Sequence, residues 1–292
     1  MRKAITWLAG LGIVAIAAAW VISRPPSAPD TAQTGDPEQG RLIFAAAGCA
    51  SCHIAPKAEK TDTPVLAGGK AFPSDFGTFY APNISSHAEH GIGSWTDTQV
   101  FHAITAGVSP SGQYYYPAFP SHSYALADPD EIWHLSAYLR GLPADATPSV
   151  PHDVSFPYTI RRGLWLWRAL FAPKQWVRPA DSEELERGRY LVEALGHCAE
   201  CHTPRNALGG LDQSRWMAGA PLPVGKGNVP NLTPAKLDWS ARDIAEYLKS
   251  GFTPEYDVAG GEMTEVIANT SQLSDEDRLA IAAYLKALPA AE

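Results

Sequence analysis

The sequence predicts an all-α protein in which two tandem copies of one helical domain follow an N-terminal transmembrane helix. Three observations carry this reading. Beyond position 36 the chain divides into two segments that match each other at offsets of 144 to 149 residues, the mark of a duplicated unit. Each segment places apolar side chains at helical spacing between capping residues and glycine stops, with no alternating strand pattern of useful length. Finally, an apolar run from Ala4 to Ile22 stands behind the basic start "MRK".

Taken in order, residues 1–24 read as a membrane anchor. Nineteen helical residues reach about 28 Å at roughly 1.5 Å each, close to the ~30 Å hydrocarbon core of a bilayer. Arg2 and Lys3 before the span put the amino terminus in the cytoplasm and the body on the periplasmic side. A cleaved signal peptide is the competing reading, because "AAA" at 17–19 offers small residues to a peptidase; the run exceeds the usual ~7 to 15 residues of such a peptide. Both readings export the body. Residues 25–36, "PPSAPDTAQTGD", form a polar, Pro-rich tether with nothing to bury.

The first domain spans 37–143 and the second 182–292. "QGRLIF" at 39–44 faces "RGRYLV" at 187–192, "APNI" at 81–84 faces "VPNL" at 229–232, and "AYLRGLP" at 137–143 faces "AYLKALP" at 283–289. A first helix is expected from Pro37 to Ala47 and from Ser182 to Leu195. A middle helix follows Trp95 or Trp239, starts at a Thr or Ser cap and stops at Gly107 or Gly251. A last helix opens on acidic residues in "DPDEIWHLSAYLRGL" and "SDEDRLAIAAYLKAL". Gly40 and Gly188 would let the first helix approach the last one closely, against Tyr138 and Tyr284. Between the domains, residues 144–181 form a linker whose "IRRGLWLWRALF" predicts a Trp-rich helix with Trp165, Trp167 and Phe171. That helix reads either as packing across both domains or as resting on a membrane or partner; Arg161, Arg162 and Arg168 are candidates to pair with acidic groups of a cofactor.

All four cysteines fall in "GCASCH", 48–53, and "HCAECH", 197–202. In C-x-x-C-H two thiols three positions apart reach the two vinyl groups on one edge of a haem, and the adjacent histidine swings under the ring to bind iron. A zinc site would need its C-x-x-C pairs about 15 to 20 residues apart, and a disulfide would not need the histidine repeated. Cys49, Cys52, Cys198 and Cys201 are therefore the expected attachment points of two haem c groups, with His53 and His202 as proximal iron ligands.

On these motifs, together with "FGTFYAPNISSHAEHGIGSW", "AGVSPSGQYYYPAFP", "HCAECHTPRNALGG" and "VPNLTP", the sequence resembles the c-type cytochrome subunits of membrane-bound bacterial alcohol, aldehyde and gluconate dehydrogenase complexes. The resemblance covers nearly all of the exported chain. It implies all-helical cytochrome c domains that pass electrons from a dehydrogenase catalytic subunit, or another donor, to a respiratory acceptor such as an oxidase, quinone or soluble cytochrome. Many members carry three haems, whereas this chain has motifs for two.

The two halves differ on the far side of the iron. Met263, in "AGGEMTEV", stands where the resembled family places its distal ligand and is assigned to haem 2; Met217 reads as an apolar gap-filler. The position equivalent to Met263 in the first domain, 144 residues earlier, is Phe119, which cannot ligate iron. Either His122, three residues on, serves haem 1, or that iron has no local sixth ligand; His87, His90, His102 and His134 read as surface or capping residues. With both irons six-coordinate the protein is an electron carrier and no enzyme. An open haem 1 would instead suit a peroxidase-like or ligand-binding haem enzyme. A structural subunit with incidental haems is the third class. With 23 basic and 31 acidic residues and a net charge of −8, the surface argues against nucleic acid and suits a partner with a basic face.

Overall fold

The computed structural model describes residues 17–58, 61, 63–172, 175–223 and 226–291. In the first domain, Asp36 caps helix α1 (Pro37–Ala46) by accepting from Glu38 N at 2.9 Å, with Pro37 supplying the preset φ of the first turn. A left-handed Gly48 turns the chain into the short α2 (Cys49–His53). Thr96 and Gln99 close a capping box at the start of α3 (Asp97–Ala106). The short α4 (Ser121–Tyr124) and the longer α5 (Pro129–Gly141) complete the unit.

The linker contributes α6 (Leu164–Phe171). The second domain then repeats the plan with α7 (Glu183–Arg189), α8 (Ala199–His202), α9 (Ala241–Ser250), α10 (Met263–Thr270) and α11 (Asp275–Ala287).

The first helix crosses the last one at a glycine in both domains. A Cβ on Gly40 would sit 2.0 Å from His134 O and 2.8 Å from Tyr138 Cβ; on Gly188 it would sit 2.0 Å from Ala280 O and 2.7 Å from Tyr284 Cβ. Backbone therefore meets backbone at both crossings, as the sequence led us to expect, and no other residue fits there. Behind each crossing lies the core: Ile132, Leu135 and Leu139 in the first domain, Val192, Ala282 and Leu285 in the second.

Three features depart from the sequence reading. The fold is helical with some sheet, not all-α: β1 (Ala71–Ser74) and β2 (Gly77–Tyr80) form a hairpin that β3 (Asp153–Val154) joins from the linker, and β4 (Ala220–Pro221) pairs with β5 (Asn228–Val229). Strands of two to four residues are too short for alternation to show in sequence. Second, α7 continues as a π-helix, Tyr190–Leu195. The offset between copies is 148 before it (Gly40 to Gly188) and 149 after it (Cys49 to Cys198), so one inserted residue is absorbed as a wide helical turn.

Third, the Pro-rich tether is docked rather than loose. His102 Nε2 donates to Pro26 O at 3.0 Å, and Arg162 binds Ser23 Oγ at 3.0 Å while lying 3.4 Å from the centre of the Trp20 ring. The apolar stretch read as an anchor lies mostly outside the described residues. Residues 17–22 are helical, and among the described residues no helix is long and apolar enough to cross a membrane.

Candidate functional site

Both C-x-x-C-H segments are short helices, and each histidine is buried with its ring fixed by one backbone carbonyl. His53 Nδ1 donates to Pro82 O at 2.9 Å, and His202 Nδ1 donates to Pro230 O at 2.8 Å. A carbonyl only accepts, so the proton resides on Nδ1 and the Nε2 lone pair is left for a metal. Burial also holds both imidazoles below the usual histidine range, which keeps them neutral. The acceptors lie in "APNI" and "VPNL", a repeat visible in the sequence whose role was not.

The cysteines suit thioethers better than a thiolate cage. Neither pair is joined in a disulfide. Desolvation pushes the Cys49 and Cys198 thiols up to about 12 and Cys52 to about 11, so they are neutral, apolar sulfurs. Two neutral thiols and a tautomer-fixed histidine are the donor set that a covalently attached haem requires, and both domains present it.

The motifs are neighbours across the domain interface. Asn269 Nδ2, on α10, donates to Ser51 Oγ inside the first motif at 2.7 Å. Lys70 donates to Ser51 O at 3.1 Å and pairs with Glu262 of the second domain, so one bridge spans the gap beside Cys52 and Cys201. Tyr124 donates to Ala47 O at 3.0 Å and meets the His197 ring edge-on at 5.7 Å. His197 has φ +38 at the position where the first copy has Gly48, also left-handed at φ +64.

His122 is placed differently from the sequence expectation. Its Nε2, the atom that would meet iron, lies 2.7 Å from Glu200 Oε1 within the second motif, with His122 buried and Glu200 largely so. Glu200 also pairs with Arg205. Burial alone would raise the Glu200 carboxyl; the hydrogen bond and charge of His122 and the charge of Arg205 overcome it and hold the group at about 2. Phe119, 144 residues before Met263 in the repeat, packs its ring against Tyr115 and Tyr124.

Met263 opens α10 and packs, partly buried, on the apolar core; Met217 is fully buried, with its N–H bonded to Thr203 Oγ1. The linker arginines face aromatic rings instead of open space: Arg161 over Tyr116, Arg162 over Trp20 and Arg168 near Tyr114. Trp167 donates to Leu208 O at 2.8 Å and meets His122 edge-on, so α6 packs across both domains.

A cytochrome c family model matches residues 37–143, and a model described as cytochrome c oxidase, cbb3-type, subunit III matches residues 183–285. The diheme cytochrome c-type protein of Cereibacter sphaeroides is 52% identical over the full length of both chains. The fructose dehydrogenase cytochrome subunit of Gluconobacter japonicus is 37% identical over 91% of this chain, and the gluconate 2-dehydrogenase cytochrome c subunit of Pantoea cypripedii 34% over 90%. This chain spans only 55% and 62% of those two subunits. The chain belongs to the dihaem c-type cytochromes, electron carriers that hold two haem c groups.

Proposed function

We propose that the chain relays single electrons from a dehydrogenase catalytic subunit, or another donor, to a respiratory acceptor, on the periplasmic side of a membrane to which residues 1–24 tether it. Cys49 and Cys52 hold haem 1, with His53 as its proximal ligand. Cys198 and Cys201 hold haem 2 between His202 and Met263. The observation that carries this reading is the pair of matched bonds, His53 to Pro82 O and His202 to Pro230 O, each freeing Nε2 beside two neutral thiols. The names of the fructose and gluconate dehydrogenase relatives support the donor class.

The interface supports a relay within one chain. Ser51 and Lys70 of the first domain bond to Asn269 and Glu262 of the second, so the first motif is held against the segment that carries Met263. The cofactors supply the redox chemistry; the protein fixes their separation, excludes water and sets axial ligation.

A second reading concerns haem 1. His122 Nε2 is engaged by Glu200 and Phe119 fills the methionine position, which supports an iron without a strong sixth protein ligand. We assign His122 to the interface instead of the iron. Low-temperature paramagnetic resonance tests both readings: one His/Met centre and one centre of another type are expected. Carbon monoxide should bind the reduced protein at one site per chain. Two His/Met spectra, or protein whose mass equals that of the bare polypeptide, would overturn the assignment.

A further inference from the structure

The loop after the middle helix is built alike in both domains. In the first, Ser109 N donates to Gln113 O, Gly112 N to Ser109 O and Tyr115 N to Gly107 O; in the second, Thr253 N donates to Asp257 O, Tyr256 N to Thr253 O and Ala259 N to Gly251 O. Every pair is related by 144 residues. The bridge Val108–Tyr114 of the first loop has its counterpart in Phe252–Val258.

What covers the two loops is different. In the first domain Val108 is 2% exposed and Tyr114 7%, because the docked tether and the linker lie over them: Tyr114 donates to Arg24 O at 3.4 Å, and Tyr116 to Tyr158 O at 2.9 Å. In the second domain Phe252 is 54% exposed and Val258 61%, and Tyr256 between them is 89% exposed. Tyr256 holds φ +65 where the first copy has Gly112 at φ +75, so a bulky ring is kept in a backbone region that favours glycine and is turned to solvent.

Charge separates the loops as well. Residues 98–127 of the first domain contain no Asp, Glu, Lys or Arg. The bare loop and its flanks carry Glu246, Glu255, Asp257 and Glu262 against Lys249, which pairs with Asp275 at 3.2 Å; Glu262 pairs with Lys70. An apolar centre inside an acidic rim matches a partner with an apolar centre inside a basic rim. The loop runs directly into Met263, so a partner seated there would lie beside haem 2.

We propose that Phe252, Tyr256 and Val258, rimmed by Glu255 and Asp257, form the docking face for a redox protein whose cofactor edge is ringed by lysine or arginine. The inference rests on the relay reading and adds the surface at which one partner is met. One electron crosses at that face, and no bond or proton need move with it.

The test is calorimetric binding of a lysine-rich monohaem cytochrome c, as probe, to the intact protein carrying both haems. One-to-one binding at about 10 mM salt that weakens about tenfold by about 200 mM is expected. F252S/V258S and E255K/D257K should each weaken it at least about fivefold. Y256G should weaken it too while leaving the fold at least as stable, because glycine accepts the left-handed backbone. P110A, on the matching first-domain loop, should leave it unchanged. Affinity indifferent to salt and to these second-domain changes would overturn the docking face, as would self-association through the same residues in sedimentation. Haem content measured on each preparation separates the two ideas: two haems with unaltered binding sink only the face, whereas protein without haem sinks the relay reading.

Discussion

Glu200 sits in the middle of the second haem motif, yet its partner His122 belongs to the first domain. With its carboxyl held at about 2, below the ordinary 4.5, the ionised form is favoured in the folded protein. Such a depressed carboxylate stabilises fully above about pH 4.5, and its contribution fades as pH falls toward 2. Replacing it by Gln should therefore cost about 2 to 4 kcal/mol in urea unfolding near neutral pH, since the buried His122 loses its partner. The gap from wild type should narrow below about pH 4.5 and close only as the pH falls to about 2. Met263→Leu should lower the midpoint potential of one centre and leave the other unmoved, because methionine raises the potential of a haem it ligates. The residues proposed to attach the haems were legible because covalent haem chemistry dictates their spacing. The role of Glu200 was not, since nothing in "CAECH" points to a partner 78 positions away.

The first, middle and last helices of each domain were easy to anticipate; α4, α10 and the strands were not. Thr96 and Ser240 cap the middle helices where the two repeats promised a Thr or Ser, and with Gln99 and Asp243 they close capping boxes, because such signals lie within four residues of one another. The β1–β2 hairpin has only four residues a side, and its third strand arrives from beyond position 150. The π-helix stayed hidden for a related reason, since a one-residue change of offset records an insertion without saying whether loop or helix absorbs it. The crossing glycines give a sharp expectation. Gly188→Ala should lower stability by about 3 kcal/mol or more in thermal unfolding, because its methyl group meets the Ala280 carbonyl backbone and no side chain can yield. Ala substitution at the exposed Gly260, whose added Cβ would meet nothing within 4 Å, should move the midpoint little.

Two duplicated domains have become unlike through what lies on top of them. The first is wrapped by the tether and by α6; the second leaves the same loop uncovered. Composition indicated a free tether because Pro, Ser and Asp have little to bury, but the carbonyls of Pro26 and of Arg24 just before it are the groups that His102 and Tyr114 use. Arg162→Ala, which removes the contacts to Ser23 and the Trp20 ring, should make residues 23–36 more readily cut in limited proteolysis while both haems are retained.

The clasp on the lead-in segment has a further consequence. A carrier on a slack leash could sweep an arc and visit distant donors in turn. With residues 1–24 as the proposed tether, an entry segment strapped along the protein's own flank would hold a single height and facing, and reactants would have to travel to it. Lengthening the chain between positions 29 and 36 should then alter its reach hardly at all unless the strap at Arg162 is loosened first.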